Sequence, residues 1–235
     1  MTSLWKFNSV LPYFGLDERG FAEVLSITGA FVAGGSCLAA FLGAPIQEGQ
    51  DIDIWLPTGK QFSKEHPADW RVLWPFRIYL ESKGYHKETS QEKWERLHQD
   101  RRIGEVIEYT SMEPFKTTIH RIHNFYKTNK DGRQIKIQVM ECGYVTPPDI
   151  LKHFDLNICQ FYTDDIHWNH GYPTISITHP DLATNPKRIL EIHGRIMRPV
   201  PNSTYCEGSK NTVSRIAKYK ARGFRLEVDD KKEYI

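Results

Sequence analysis

No run in this sequence is apolar for anything near the roughly 20 residues that a membrane-crossing helix needs, so a helical membrane protein is not expected. The opening residues, Met1 to Lys6, lack the charged start and long apolar block of a secretory signal. Cysteine is scarce, and Cys37, Cys142, Cys159 and Cys206 stand far apart. Scattered thiols without a leader exclude a disulfide scaffold and point to a reducing, cytoplasmic setting. Structural zinc is not expected either. His120 and His123 would face opposite ways on a strand, and His167 and His170 fall in a turn without matching cysteines. No Ser-His-Asp order, internal repeat or low-complexity tract is present. Charge of one sign is also lacking: the chain of 235 residues carries a net charge of only +2.

That near-neutrality hides an asymmetry. Between Pro186 and Arg225 the basic residues include Lys187, Arg188, Arg195, Arg198, Arg215, Lys218, Lys220 and Arg222, opposed only by Glu191 and Glu207. The rest of the chain is therefore acidic. A basic segment beside an acidic body suits a polyanionic substrate.

The most informative stretch is Phe31 to Pro57. Asp51-Ile52-Asp53-Ile54-Trp55-Leu56 alternates with period two, the pattern of a half-buried strand. Ile52, Ile54 and Leu56 can then enter a core while Asp51 and Asp53 share the other face, their Cα atoms roughly 7 Å apart. Carboxylates that close repel unless a cation lies between them, and oxygen ligands favour a hard ion such as Mg²⁺. Upstream, Gly34-Gly35-Ser36 follows the apolar Ala30-Phe31-Val32 and precedes the helix-compatible run Cys37 to Leu42. The glycines permit a sharp turn, Ser36 is a good N-cap, and a helix N-terminus after such a turn is a ready phosphate site. An anion cradle and a metal site are what a nucleoside triphosphate with its Mg²⁺ requires.

Gly34-Gly35-Ser36, a spacer, and Asp51-Ile52-Asp53-Ile54 together resemble the signature of the DNA polymerase β-like nucleotidyltransferase superfamily. The resemblance covers roughly residues 30–57 and 134–162. It implies transfer of a nucleoside monophosphate from an NTP to an acceptor hydroxyl with two Mg²⁺ (or Mn²⁺) ions held by Asp51 and Asp53, and phosphates held at Gly34, Gly35 and Ser36. The superfamily places a third carboxylate on a later strand. Asp155 is the first choice for it, as the start of an alternating strand through Tyr162, and Glu141 at the end of the preceding strand is the alternative. Arg215, Lys218 or Arg222 would hold triphosphate or an RNA backbone.

The flanking pattern frames this motif. Asp17 to Leu25 predicts a helix ended by Gly29, and 68–82 a helix stopped by Gly84. Residues 1–15 read as irregular chain. Residues 106–109 predict a short strand. Residues 117–127 and 134–140 predict a hairpin about Asp131-Gly132. A turn reads through Asp164-Asp165 and Asn169-His170-Gly171, with a last strand over Thr174 to Thr178. Ser209 to Ala221 predicts an amphipathic helix with Val213, Ile216 and Ala217 inward and Arg215, Lys218, Lys220 and Arg222 outward. The expected class is α/β: a nucleotidyltransferase-type mixed sheet with flanking helices in a catalytic domain over 1–179, then a small basic helical extension over 180–235. The basic extension favours an RNA or tRNA end as acceptor. A protein hydroxyl (AMPylation or UMPylation), a small molecule, or a non-catalytic nucleotide- or RNA-binding module are the alternatives.

Overall fold

The computed structural model describes residues 5–57, 70–99, 119–143, 146–200 and 210–228. The strand expected at 106–109 lies outside them. Residues read above as irregular form a 3₁₀ helix, Phe7–Phe14, closed by Gly15 in the left-handed conformation. Phe7, Val10, Leu11 and Phe14 are all buried, and this apolar spacing is what draws the segment onto the body. Helix α1 (Glu18–Thr28) is capped by Asp17, whose side chain accepts from Gly20 N–H, and it ends at Gly29 as expected.

Strand β1 (Phe31–Ala33), helix α2 (Gly35–Leu42) and strand β2 (Ile52–Pro57) follow. Next come α3 (Trp70–Ser82), β3 (His86–Lys87), α4 (Ser90–Gln99) and the hairpin β4 (Ile119–Thr128) and β5 (Gln134–Cys142). A short helix α5 (Pro147–Leu151) leads to a 3₁₀ turn, Asn157–Cys159, and to the hairpin β6 (Tyr162–Asn169) and β7 (Tyr172–Thr178). The chain continues through α6 (Asp181–Thr184), α7 (Pro186–His193), β8 (Ile196–Met197), α8 (Lys210–Ala221) and β9 (Arg225–Leu226).

Among the described residues seven strands form one sheet in the order β3-β4-β5-β2-β1-β6-β7. β2 and β5 are parallel, and the other neighbours are antiparallel. The α/β class with a mixed sheet and flanking helices is what the structure has. Of the turn expected through Asp164-Asp165 and Asn169-His170-Gly171, the chain turns at His170-Gly171, while Asp164-Asp165 is a register irregularity within β6, between Thr163 and Ile166. Two consecutive exposed acids are accommodated there as a bulge, without ending the strand.

Alternation decides which face each side chain takes. Ile52, Ile54 and Leu56 join Ile135, Ile137 and Val139 in the main core against the 3₁₀ helix, α1 and α3. This core also takes in Ile189, Ile192, Met197, Tyr219 and Phe224 from the C-terminal part. The opposite face carries a smaller cluster of Phe31, Ala33, Trp55, Met140 and Tyr162 under Ile150 and Leu151 of α5. Asp51 and Asp53 share that second face, at its polar end.

Phe161 belongs to the main core: it is fully buried and its ring stacks on Phe41 of α2 at 4.3 Å. Phe161→Ala is expected to cost about 3–5 kcal/mol, measurable as a lower midpoint in urea unfolding.

Candidate active site

β1, α2 and β2 bring the two halves of the sequence motif together. The register sets Ala33 opposite Asp53. The next residue, Gly34, takes φ 92° and ψ −142°, a conformation other residues resist. A side-chain carbon on Gly34 would lie 3.6 Å from Asp53 Oδ2, so the turn passes directly over that carboxylate. Gly34 N–H donates to Phe161 O at 3.0 Å, which ties the turn to the chain entering β6.

Gly34, not Ser36, is the N-cap of α2, and its carbonyl accepts from Leu38 N–H at 3.0 Å. Ser36 therefore falls in the first turn, buried, with a hydroxyl that has no partner. The helix opens earlier than expected because glycine alone can make the bend. The N–H groups of the first helical turn lack partners within the helix.

Asp51 is paired with opposite charge and repels Asp53. Asp51 Oδ2 accepts from Lys136 Nζ at 2.7 Å. Burial, and then the negative charge of Asp51, push the Asp53 carboxyl up to about 7 against the pull of Lys136, Lys218 and Arg215. Gln138, the register partner of Asp53 on β5, ends its side chain 3.2 Å from both Asp53 Oδ1 and Asp51 Oδ2.

The third acid is arranged differently from the expectation. Asp155 does not begin a strand; it precedes the 3₁₀ turn. The segment is held from another side: Val200 N–H donates to Asp155 O, Asn157 N–H to Arg198 O, and Arg198 N–H to Asn157 Oδ1. Asp155 is buried and its Oδ2 meets Arg215 Nη1 at 2.5 Å, while its Oδ1 has no partner. Glu141, the alternative, pairs in register with Leu56 of the main core. It therefore lies on the opposite face of the sheet from Asp53, bonded to His123 Nε2 at 2.8 Å. Among the described residues no three His, Cys, Asp or Glu side chains converge as a metal-binding group.

α8 is rotated relative to its amphipathic pattern. Thr212 and Tyr219 are buried, Arg215 turns inward, and Val213 is 51% exposed. The buried carboxylate of Asp155 draws the guanidinium in, and Thr212 Oγ1 donates to the same oxygen at 3.5 Å. Tyr219 Oη reaches Cys159 Sγ at 3.6 Å and would stand 3.4 Å from a side-chain carbon on Gly35. Lys218 and Arg222 lie over the Tyr219 ring, at 5.5 and 5.3 Å.

The structure thus gathers Gly34, Gly35, Ser36, Asp51 and Asp53, with Arg215 and Lys218 close enough to act on Asp53. Four further neighbours were not singled out by sequence: Lys136, Gln138, Tyr219 and Gln50. Gln50 is buried, and its Nε2, without a partner, is 3.7 Å from the same Gly35 position. The alternation of β5 places Lys136 and Gln138 on one face, but only the β2–β5 register puts them beside Asp51 and Asp53.

A family profile described as Gabija anti-defense 2 family protein matches residues 6–181. The chain belongs to this family. The family match includes the glycine turn, both aspartates, Gln138 and Asp155, and stops before α8. No curated protein matches the chain. Solved structures similar to it include a CCA-adding enzyme with CTP (12% identity, TM-score 0.47, covering 97% of this chain and 43% of that one). Others are the Thermotoga maritima CCA-adding enzyme complexed with tRNA-CCA (13%, 0.44, 97% and 43%) and a tRNA-processing enzyme in apo form (10%, 0.45, 89% and 42%). This member of the Gabija anti-defense 2 family spans less than half the length of those chains.

The raised Asp53 carboxyl fixes the sign of one stability effect. The folded state keeps a proton that the unfolded chain releases near the ordinary carboxylate value of about 3.8, so stability falls as pH rises from there to about 7. Asp53→Asn removes the ionised group. In EDTA it is expected to raise Tm by roughly 2–4 °C at pH 8, with a gain that shrinks at pH 5 and vanishes near pH 4, read by thermal melts.

Proposed function

We propose that this Gabija anti-defense 2 family member transfers a nucleoside monophosphate from an NTP to an acceptor hydroxyl. The observation that carries the reading is the passage of the Gly34 backbone over Asp53 Oδ2, which joins a helix N-terminus to a carboxylate pair. In this reading the N–H groups at Gly35 and Ser36 bind the β and γ phosphates, and Arg215 and Lys218 add positive charge on the facing side. Asp51 and Asp53 fit hard divalent cations: both offer oxygen donors, both lie 3.2 Å from the end of the Gln138 amide, and the charge of Asp51 helps push the Asp53 carboxyl up to about 7. Bound Mg²⁺ would neutralise charge developing on the phosphates and lower the pKa of the attacking hydroxyl.

In the step itself the acceptor oxygen bonds to the α-phosphorus, the bond from that phosphorus to the α,β-bridging oxygen breaks, and pyrophosphate leaves. The hydroxyl proton is lost to solvent or to a site carboxylate. The chain contributes position and charge, which dominate such chemistry. The resemblance implies Asp155 as a third metal ligand; its ion pair with Arg215 favours a different role, holding that guanidinium across from the aspartates.

For the acceptor, one observation weakens the RNA-end reading. Much of the basic C-terminal segment is neutralised locally: Arg198 by Glu191 and Glu227, Arg188 by Asp181, Arg215 by Asp155, and Arg225 by Glu227. A hydroxyl on a protein component of the defence named in the family description is therefore the first acceptor proposed, and an RNA or tRNA end the second.

The test incubates the protein with Mg²⁺, each α-labelled NTP, and both RNA and protein from Gabija-bearing cells, with Asp51→Ala/Asp53→Ala as control. Label is expected in the protein fraction with wild type only. Label in RNA selects the second acceptor. No label in either pool and no pyrophosphate release with metabolite extracts contradicts transfer.

A further inference from the structure

Two side chains from distant segments end over Gly35, and each has a hydrogen to give. A side-chain carbon at Gly35 would stand 3.4 Å from Tyr219 Oη and 3.7 Å from Gln50 Nε2. These two polar atoms therefore flank one small space at the first residue of α2. Both side chains are buried, with 7% of Gln50 and 2% of Tyr219 exposed.

The loop before β2 sets the direction of the Gln50 amide. Gln50 N–H donates to Gln47 O at 3.0 Å and closes a turn. Gln47 N–H in return donates to Gln50 Oε1 at 3.4 Å. Turned over, the amide would set its nitrogen against that N–H, donor against donor. The nitrogen therefore points to Gly35, and it has no partner. On the other side, the Cys159 thiol donates weakly to Tyr219 Oη at 3.6 Å. A phenol also carries a hydrogen of its own, and among the described residues nothing accepts it. Buried donors left unpaired are costly, and an apolar side chain of similar size at either position would avoid that cost.

The groups that meet at this space are donors: the Gln50 amide, the Tyr219 hydroxyl and the N–H groups that open α2. Lys218 and Arg222, over the Tyr219 ring, add positive charge. Such a set fits an anion with several oxygens. Asp53 lies under Gly34, and Gly35 is one residue further along the turn. The anion at Gly35 is then the part of the phosphate chain beyond the reacting phosphorus. We infer that Gln50 Nε2 and Tyr219 Oη hold the phosphates that leave as pyrophosphate, and so make the site select a nucleoside triphosphate over a monophosphate. This rests on the reading of the glycine turn as a phosphate cradle. Gln50 lies within the family match and Tyr219 beyond it, so the phosphates are held from both parts of the chain.

Equilibrium binding in Mg²⁺ tests the inference without turnover, using α,β-methylene analogues of the NTPs and the matching monophosphates, each read by displacement of a fluorescent NTP analogue. Wild type is expected to prefer a triphosphate analogue over its monophosphate. Gln50→Leu is expected to weaken that analogue roughly ten- to a hundredfold and to leave the monophosphate unchanged. Gln50→Glu, which sets an anion against the phosphates, is expected to weaken it further. Tyr219→Phe keeps the ring in the core and is expected to weaken it several-fold. Thermal melts without nucleotide identify any variant that has failed to fold. If folded Gln50→Leu binds the triphosphate as wild type does, or loses triphosphate and monophosphate alike, the inference is overturned and nucleotide binding at the turn stands. If wild type binds no triphosphate, both fall.

Discussion

The structure is arranged around the crowding of two carboxylates, Asp51 and Asp53. Two carboxylates share one face of β2, a glycine turn passes over one of them, and the Gln138 amide reaches both. Lys136 offsets part of that charge directly, and Arg215 and Lys218 act on it from α8. A fold built only for stability would place apolar or complementary groups there, since unpaired buried charge is costly. Functional sites are where such costs persist. The C-terminal part packs into the same main core through Tyr219 and Phe224, which fixes α8 over the glycine turn.

Much of this was legible in the sequence because it follows from short-range pattern. The alternation of Asp51 to Leu56 required the aspartates to share a face, and the apolar partners Ile52, Ile54 and Leu56 are fully buried. Asp17 and Gly29 bound α1 as their capping chemistry dictates. The β4–β5 hairpin turns at Asp131-Gly132, with Gly132 in a positive-φ conformation.

What was not legible depends on long-range packing. The stretch from Asp155 to Phe161 alternates on paper, yet Asp155, Asn157, Cys159 and Phe161 are as buried as Leu156 and Ile158. Its backbone is held by the chain at Arg198 to Val200, far away in sequence. α8 turned its Arg215 inward because a buried acid from another segment outweighed the pull of Val213 toward the core. Charge counted along the chain also overstated the basic character of the C-terminal part, because Asp155, Asp181 and Glu227 neutralise it from outside the counted segment. Gln138 became part of the site only through the parallel register of β2 and β5, which no local pattern specifies.

The most direct measurement is anomalous diffraction from crystals grown with Mn²⁺ and a non-hydrolysable NTP. The account predicts a manganese peak bonded to oxygens of Asp51 and Asp53, with the β and γ phosphates against the N–H groups of Gly35 and Ser36. A nucleotide bound elsewhere, or a peak absent from the aspartates while the nucleotide occupies the glycine turn, would contradict it.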